Sequence, residues 1–94
     1  MNNLRFEWDQ AKADINQRKH GVTFEEAASV FYDEQAVEFY DDKHSDWEER
    51  LLLLGMSANL RLLLVCHCHR AGASVFRIIS ARKATRNEAK HYQR

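Results

Sequence analysis

Arg77, Arg82, Lys83 and Arg86 fall within ten residues, in the stretch RIISARKATRNEAKHY at positions 77–92 that ends on Tyr92. Permanent cations at that density suit a polyanion. A guanidinium offers a planar fork that matches phosphate oxygens, and it stays charged throughout the physiological range. The same residues also suit a solvated basic face or a contact with an acidic partner. Arg77 and Arg82 are an odd number of residues apart. A regular strand therefore sends them to opposite faces, and only a bend at Ser80-Ala81 brings them to one site.

Other side chains able to do chemistry lie elsewhere. His67 sits in the run Cys66-His67-Cys68-His69, inside an apolar strand. A histidine there can act as acid or base near neutral pH, or it can be a half-buried residue bonded to backbone. Alternation sends Leu63, Val65, His67 and His69 to one face and Leu64, Cys66 and Cys68 to the other. The two cysteines and two histidines then cannot converge on one tetrahedral metal ion. His44, Glu49 and Arg50 form a set in an acidic segment. Glu49 suits orienting His44 or pairing with Arg50, and a salt bridge that fixes strand register explains the set equally well. Lys12 and Lys19 share a helix face at i, i+7, a stripe suited to phosphate. Lys19 and His20 suit either a C-cap contact or a nucleic-acid contact. Tyr92 suits packing of the last helix, or stacking on a base.

Charge is split along the chain. Residues 1–56 carry 6 Lys/Arg against 13 Asp/Glu, a balance of −7, and residues 57–94 carry 8 against 1, a balance of +7. The two halves sum to the net zero of the whole chain. Such asymmetry marks a polyanion site or an acidic partner. The 94 residues, 45% hydrophobic and 30% charged, fit one small folded domain spanning 1–94. No internal repeat or flexible linker is visible. No apolar run approaches a membrane span, and no signal-peptide core is present. Cys66 and Cys68 are too far apart along a strand for a disulfide. Free thiols without an export signal point to the cytoplasm.

These residues need elements to hold them. Leu4–Trp8 reads as a short edge strand. Asp9 then caps a helix that runs to about His20 and stops at Gly21, with Trp8 as the staple residue. Thr23 and Glu26 fit a capping box for a second helix, whose apolar face is Phe24, Ala27, Ala28 and Phe31. Strands follow at Ala36–Tyr40, Leu51–Met56, Leu62–Cys68 and Val75–Ser80, the middle ones joined by short turns. Thr85 and Glu88 fit a capping box for the last helix. The order (β)ααβββ(β)α defines an α+β fold around a small, mainly antiparallel sheet.

Three separated patterns resemble the BrnT family of bacterial toxins. The first is Phe6-Glu7-Trp8-Asp9, Lys12, Asn16 and Lys19-His20-Gly21-Val22-Thr23-Phe24-Glu25-Glu26-Ala27. The second is Asp41, His44-Ser45 and Glu48-Glu49-Arg50. The third is Arg77-Ile78-Ile79-Ser80-Ala81-Arg82 with Ala84, Glu88 and Tyr92. The resemblance covers nearly the whole chain and implies a RelE-like fold. It implies a ribonuclease toxin of a type II toxin–antitoxin system that blocks translation without a metal or other cofactor. It also implies a ribbon-helix-helix antitoxin (BrnA-like) as partner, through which alone the toxin meets operator DNA.

Cleavage of RNA by its own 2′-hydroxyl needs a base, cations on the phosphorane and an acid for the leaving oxygen. Under that reading Arg82, His67, His44, Glu49 and Arg50 are the catalytic candidates. Arg77, Lys83, Arg86, Lys12, Lys19 and Tyr92 are the RNA-binding candidates. A second reading is a non-enzymatic or degenerate subunit of an autoregulatory DNA-binding complex. The chain has no clear recognition-helix signature to read DNA directly.

Overall fold

Local capping chemistry starts and stops the helices where the sequence indicates. The computed structural model describes residues 4–44, 48–69 and 74–92. Asp9 accepts from the Lys12 N–H at 3.2 Å and opens α1, Gln10–His20. Gly21, at φ 70°, ends it by donating to the Gln17 carbonyl at 2.8 Å. An L side chain resists that left-handed geometry, and glycine does not. Thr23 accepts from the Glu26 N–H at 3.0 Å and opens α2, Phe24–Ser29, which tightens into a 3₁₀ turn at Val30–Tyr32.

The capping box expected at Thr23 is half formed. The Glu26 carboxylate turns away from the Thr23 N–H and takes Arg61 and the Ser57 hydroxyl, the latter at 2.7 Å. Arg61 also donates to the Gly21 carbonyl at 3.0 Å. One guanidinium thus joins the end of α1, the start of α2 and a turn between two strands. The Arg61 bond holds the Glu26 carboxyl below its ordinary range, against the upward push of burial.

Five strands form one mixed sheet in the order β1-β5-β4-β3-β2. They are β1 Arg5–Glu7, β2 Val37–Tyr40, β3 Leu51–Met56, β4 Leu62–His69 and β5 Val75–Lys83. β2 to β5 make the expected antiparallel meander, and β1 adds to the edge of β5 in parallel. β5 runs three residues beyond the expected end at Ser80. α3 is a single turn, Arg86–Ala89, opened by a complete Thr85/Glu88 capping box. Among the described residues no helix is long and apolar enough to cross a membrane.

α1 and α2 cover one face of the sheet, and α3 lies against the other, where Glu88 and His91 border Leu52, Leu54 and Leu64. On the first face Val22, Phe24, Ala27 and Val30 meet Leu63, Val65, Ile78 and Ala81, all buried. Each large apolar side chain buried this way contributes about 1.5–3 kcal/mol. Trp8 packs edge-on against Phe24, ring centroids 5.8 Å apart, at the margin of the core that includes Ala13 of α1. Gly55 lets the turn after α2 approach β3: a Cβ there would sit 2.8 Å from Val30 Cγ1 and 2.9 Å from Ala36 Cβ.

A β-bulge interrupts β5. Ser80 pairs with Cys66 and Ile78 with His67, which leaves Ile79 as the extra residue. β1 pairs only with residues 75–77, so among the described residues the edge of β5 beyond the bulge has no strand beside it. Asn16 of α1 fills that place. Its Nδ2 donates to the Ala81 carbonyl at 2.9 Å and to the Val22 carbonyl at 3.0 Å, and its Oδ1 accepts from the Ala81 N–H at 3.1 Å. A carboxamide has the donor and acceptor of a peptide group, so it substitutes for a neighbouring strand.

Candidate active site

The bulge changes which arginines share a face. Arg82 pairs with Leu64 and Arg77 with Cys68, and residues 64 and 68 lie on the same side of β4. Arg77 and Arg82 are therefore on one face after all, the face opposite α1 and α2. The expected bend at Ser80-Ala81 is replaced by the extra residue at Ile79. Sharing a face does not give them one site. Arg77 sits beside β1 and donates to Glu7 at 3.3 Å.

Arg82 lines a cavity of about 640 Å³ on this face. Leu52, Leu64, Cys66 and Ser80 lie across its strands. Tyr40, Asp41, Asp42 and Lys43 come from the end of β2 and the 3₁₀ turn Asp42–His44, and Arg50 from the approach to β3. His20 at the end of α1 and Glu88 of α3 close the sides. The cleft thus gathers cations from three separated segments, at Lys43, Arg50 and Arg82.

Arg82 is held in a fixed geometry. Its two terminal nitrogens donate to the two Glu88 oxygens at 2.9 Å each, and Nη1 also donates to the Lys83 carbonyl at 3.2 Å. Glu88 accepts in addition from the Thr85 N–H at 2.9 Å. The Arg82 guanidinium holds the Glu88 carboxyl at about 2, against burial, with the Thr85 N–H assisting. One capping residue therefore aims the arginine. Cys66 in the cleft floor stays a thiol: burial and the neighbouring Asp41 carboxylate push it up to about 11.

A second cavity of about 200 Å³ adjoins the first, lined by Lys12, Ile15, Asn16, Lys19 and His20 of α1 with Ile79 and Ser80. The expected Lys12/Lys19 stripe is thus one wall of a groove that continues the cleft. His20, Ile79 and Ser80 border both cavities.

Of the remaining candidates, His67, Glu49, Lys83 and Arg86 do not line the cleft. His67 is 0% exposed on the α1/α2 face, opposite Arg82, so the two do not meet across the sheet. Its ring packs on Phe31 and Phe76, with centroids 4.8 and 5.8 Å away. Burial lowers the His67 pKa. Bonding to the Val65 carbonyl and the Glu38 carboxylate 3.5 Å away pull the other way, but Glu38 is half exposed and burial prevails. Glu49 is exposed and does not line the cleft. The Arg50 guanidinium lies 3.8 Å from Glu48. The His44 side chain lies outside the described residues. Lys83 points from the other face of β5, paired with Leu63. Arg86 is exposed on α3, and neither it nor Lys83 lines the cleft.

The Tyr92 hydroxyl donates to Asp33 at 2.5 Å and ties the end of the chain to the turn before β2. Of the two readings of Tyr92, packing of the last helix and stacking on a base, this contact serves the first. Burial raises the Asp33 carboxyl, but bonds from the Met56 N–H and Tyr92 outweigh it and leave the group below its usual range.

Lys43 and Tyr40 carry no sequence signal beyond their residue types. They reach the cleft only because β2 pairs with β3. His20 could be read as a terminal helix residue but not as a neighbour of Arg82.

Buried His67 makes stability pH-dependent. The folded state resists protonating it, and the unfolded chain takes up a proton below about 6.5. Its contribution is therefore complete above pH 6.5 and is lost as pH falls below that. The urea midpoint is expected to drop between pH 7.5 and pH 5.5, and His67→Phe should flatten that drop. An equal pH dependence in the variant and the parent chain counts against the assignment.

The fold and the cleft define a small α+β protein that collects basic side chains on the sheet face away from α1 and α2. The family model for the ribonuclease toxin BrnT of type II toxin–antitoxin systems matches residues 8–88, and the chain belongs to that family. The crystal structure of the Brucella abortus ribonuclease toxin BrnT superposes with a TM-score of 0.67 over 89% of this chain and 100% of that one, at 24% identity. That similarity is one of fold. No curated protein sequence matches the chain. A type II system pairs its toxin with a protein antitoxin, so the family implies such a partner here.

Proposed function

We propose that residues 1–94 act as one toxin domain in the cytoplasm, an endoribonuclease that stops translation by cutting RNA. Membership of the ribonuclease toxin family supports the class of reaction. The observation that carries the site is the Arg82 guanidinium, fixed by Glu88 in a cleft that also holds Arg50 and Lys43. The scissile phosphate sits against Arg82, whose preorganised charge is worth most on the phosphorane, where negative charge builds up. Arg50 and Lys43 add charge from the opposite lip. The attacking 2′-oxygen belongs to the substrate, so the reaction has no need of a metal-bound water. RNA enters as a single strand whose neighbouring phosphates meet Lys12 and Lys19.

A ribbon-helix-helix antitoxin neutralises the toxin and carries the pair to operator DNA. Purified chain, incubated with RNA in the presence and absence of EDTA, tests the enzymatic reading. Cleavage is expected in both, leaving a 2′,3′-cyclic phosphate and a 5′-hydroxyl. Intact RNA under both conditions would favour the non-enzymatic subunit, and loss of activity with EDTA would remove the metal-free mechanism.

A further inference from the structure

His20 stands where the two cavities meet, half-buried at the last position of α1. Among the described residues it is the one histidine side chain bordering either cavity. Gly21, not His20, makes the backbone bond that ends α1, and Arg61 takes the Gly21 carbonyl. Helix termination therefore does not require an imidazole at position 20.

The ribonuclease reading leaves its base unassigned. Of the groups around the cleft, Cys66 stays protonated and Glu88 is bound through both oxygens to Arg82. Asp41 and Asp42 are carboxylates, and an anion next to a phosphate is repelled. A neutral imidazole accepts a proton without placing negative charge there.

We propose that His20 is the proton-transfer residue of this cleft, acting on an RNA strand laid across the β5 bulge. The strand runs from the Arg82 cavity over Ile79-Ser80 to the Lys12/Lys19 cavity. This proposal rests on the ribonuclease reading. The His20 imidazole takes the 2′-hydroxyl proton as O2′ forms a bond to phosphorus. The bond from phosphorus to O5′ breaks, and O5′ takes a proton from water. The hydroxide left behind receives the proton held on His20, which restores the neutral ring. The RNA leaves as a 2′,3′-cyclic phosphate and a free 5′-hydroxyl. Lys12 and Lys19 hold the next phosphate along.

The test is steady-state cleavage of a short single-stranded RNA by the parent chain, His20→Ala and His20→Gln, each checked for fold by circular dichroism. Both variants should lose about 100-fold or more in kcat with KM within about threefold of the parent. Added imidazole should restore His20→Ala at least about tenfold, which a merely structural residue would not allow. Lys12→Ala combined with Lys19→Ala should raise KM about tenfold. Variants within threefold of the parent in kcat overturn the proposal. So does a loss confined to KM, or one that imidazole leaves unchanged. An unchanged KM in the lysine double variant removes the second phosphate position. If the parent chain itself leaves RNA intact, the ribonuclease reading fails and this proposal falls with it.

Discussion

Arg82→Ala is expected to lower kcat/KM for RNA by about 10²–10³-fold, or about 3–4 kcal/mol of transition-state stabilisation. Three observations make this residue the most sensitive position. Arg82 lies on the floor of the cleft, its fork is aimed by both Glu88 oxygens, and Glu88 is itself fixed by the Thr85 cap. A side chain already held in place loses little entropy on meeting a phosphate. Arg82→Lys keeps the charge but not the fork, so an intermediate loss of about tenfold is expected.

The fold should survive either change. The Arg82 side chain is 40% exposed and that of Glu88 30%, and solvent screening limits such a pair to about 1 kcal/mol or less. Cleavage assays paired with thermal melts separate the two effects. Activity within about threefold of the parent would place the phosphate elsewhere in the cleft.

Asn16→Ala should be strongly destabilising, by about 3–5 kcal/mol. The side chain serves three backbone groups at once: the Ala81 N–H, the Ala81 carbonyl and the Val22 carbonyl. Asn16 is 5% exposed and Ala81 1%, so water replaces those bonds poorly. Each buried polar group left without a partner costs about 1–3 kcal/mol. For a chain of this size the loss corresponds to a fall in Tm of roughly 15 °C or more.

Asn16→Asp tests the geometry further. A carboxylate can still accept from the Ala81 N–H but cannot donate to either carbonyl, and it buries a charge. It should be no more stable than the alanine variant. A urea denaturation series measures both, and a loss below 1 kcal/mol for Asn16→Ala would mean that β5 does not depend on this bond set. Because β5 carries Arg82, cleavage should fall along with stability.

Short-range chemistry was legible residue by residue. Asp9, Gly21, Thr23 and Thr85 act on groups within four positions of themselves, so the helix ends followed from the order of residue types. The antiparallel meander followed from apolar runs joined by short turns. The family was legible too, because its motifs are strings of residues. Arg82 was singled out as a candidate by its charge and by its place before a capped helix.

Long-range pairing decided the rest. Alternation along β5 sets Arg77 and Arg82 on opposite faces, and one extra residue at Ile79 reverses that. Register of this kind is fixed by two strands together, and neither strand alone carries it. Glu26 has the right spacing to complete a cap, yet Arg61 lies 35 positions away in sequence and outbids the Thr23 N–H for its carboxylate. A charged donor binds a carboxylate more strongly than a neutral amide does. His67 has the right chemistry for catalysis, but sheet packing sends it into the core on the α1/α2 side. His20 looks like a helix end, and α1 lying along the open edge of β5 makes it a neighbour of the cleft. Residue types and their local spacing thus determined the elements and the reactive groups available. Which groups meet was left to tertiary structure, because a side chain's face and neighbours depend on partners distant in the chain.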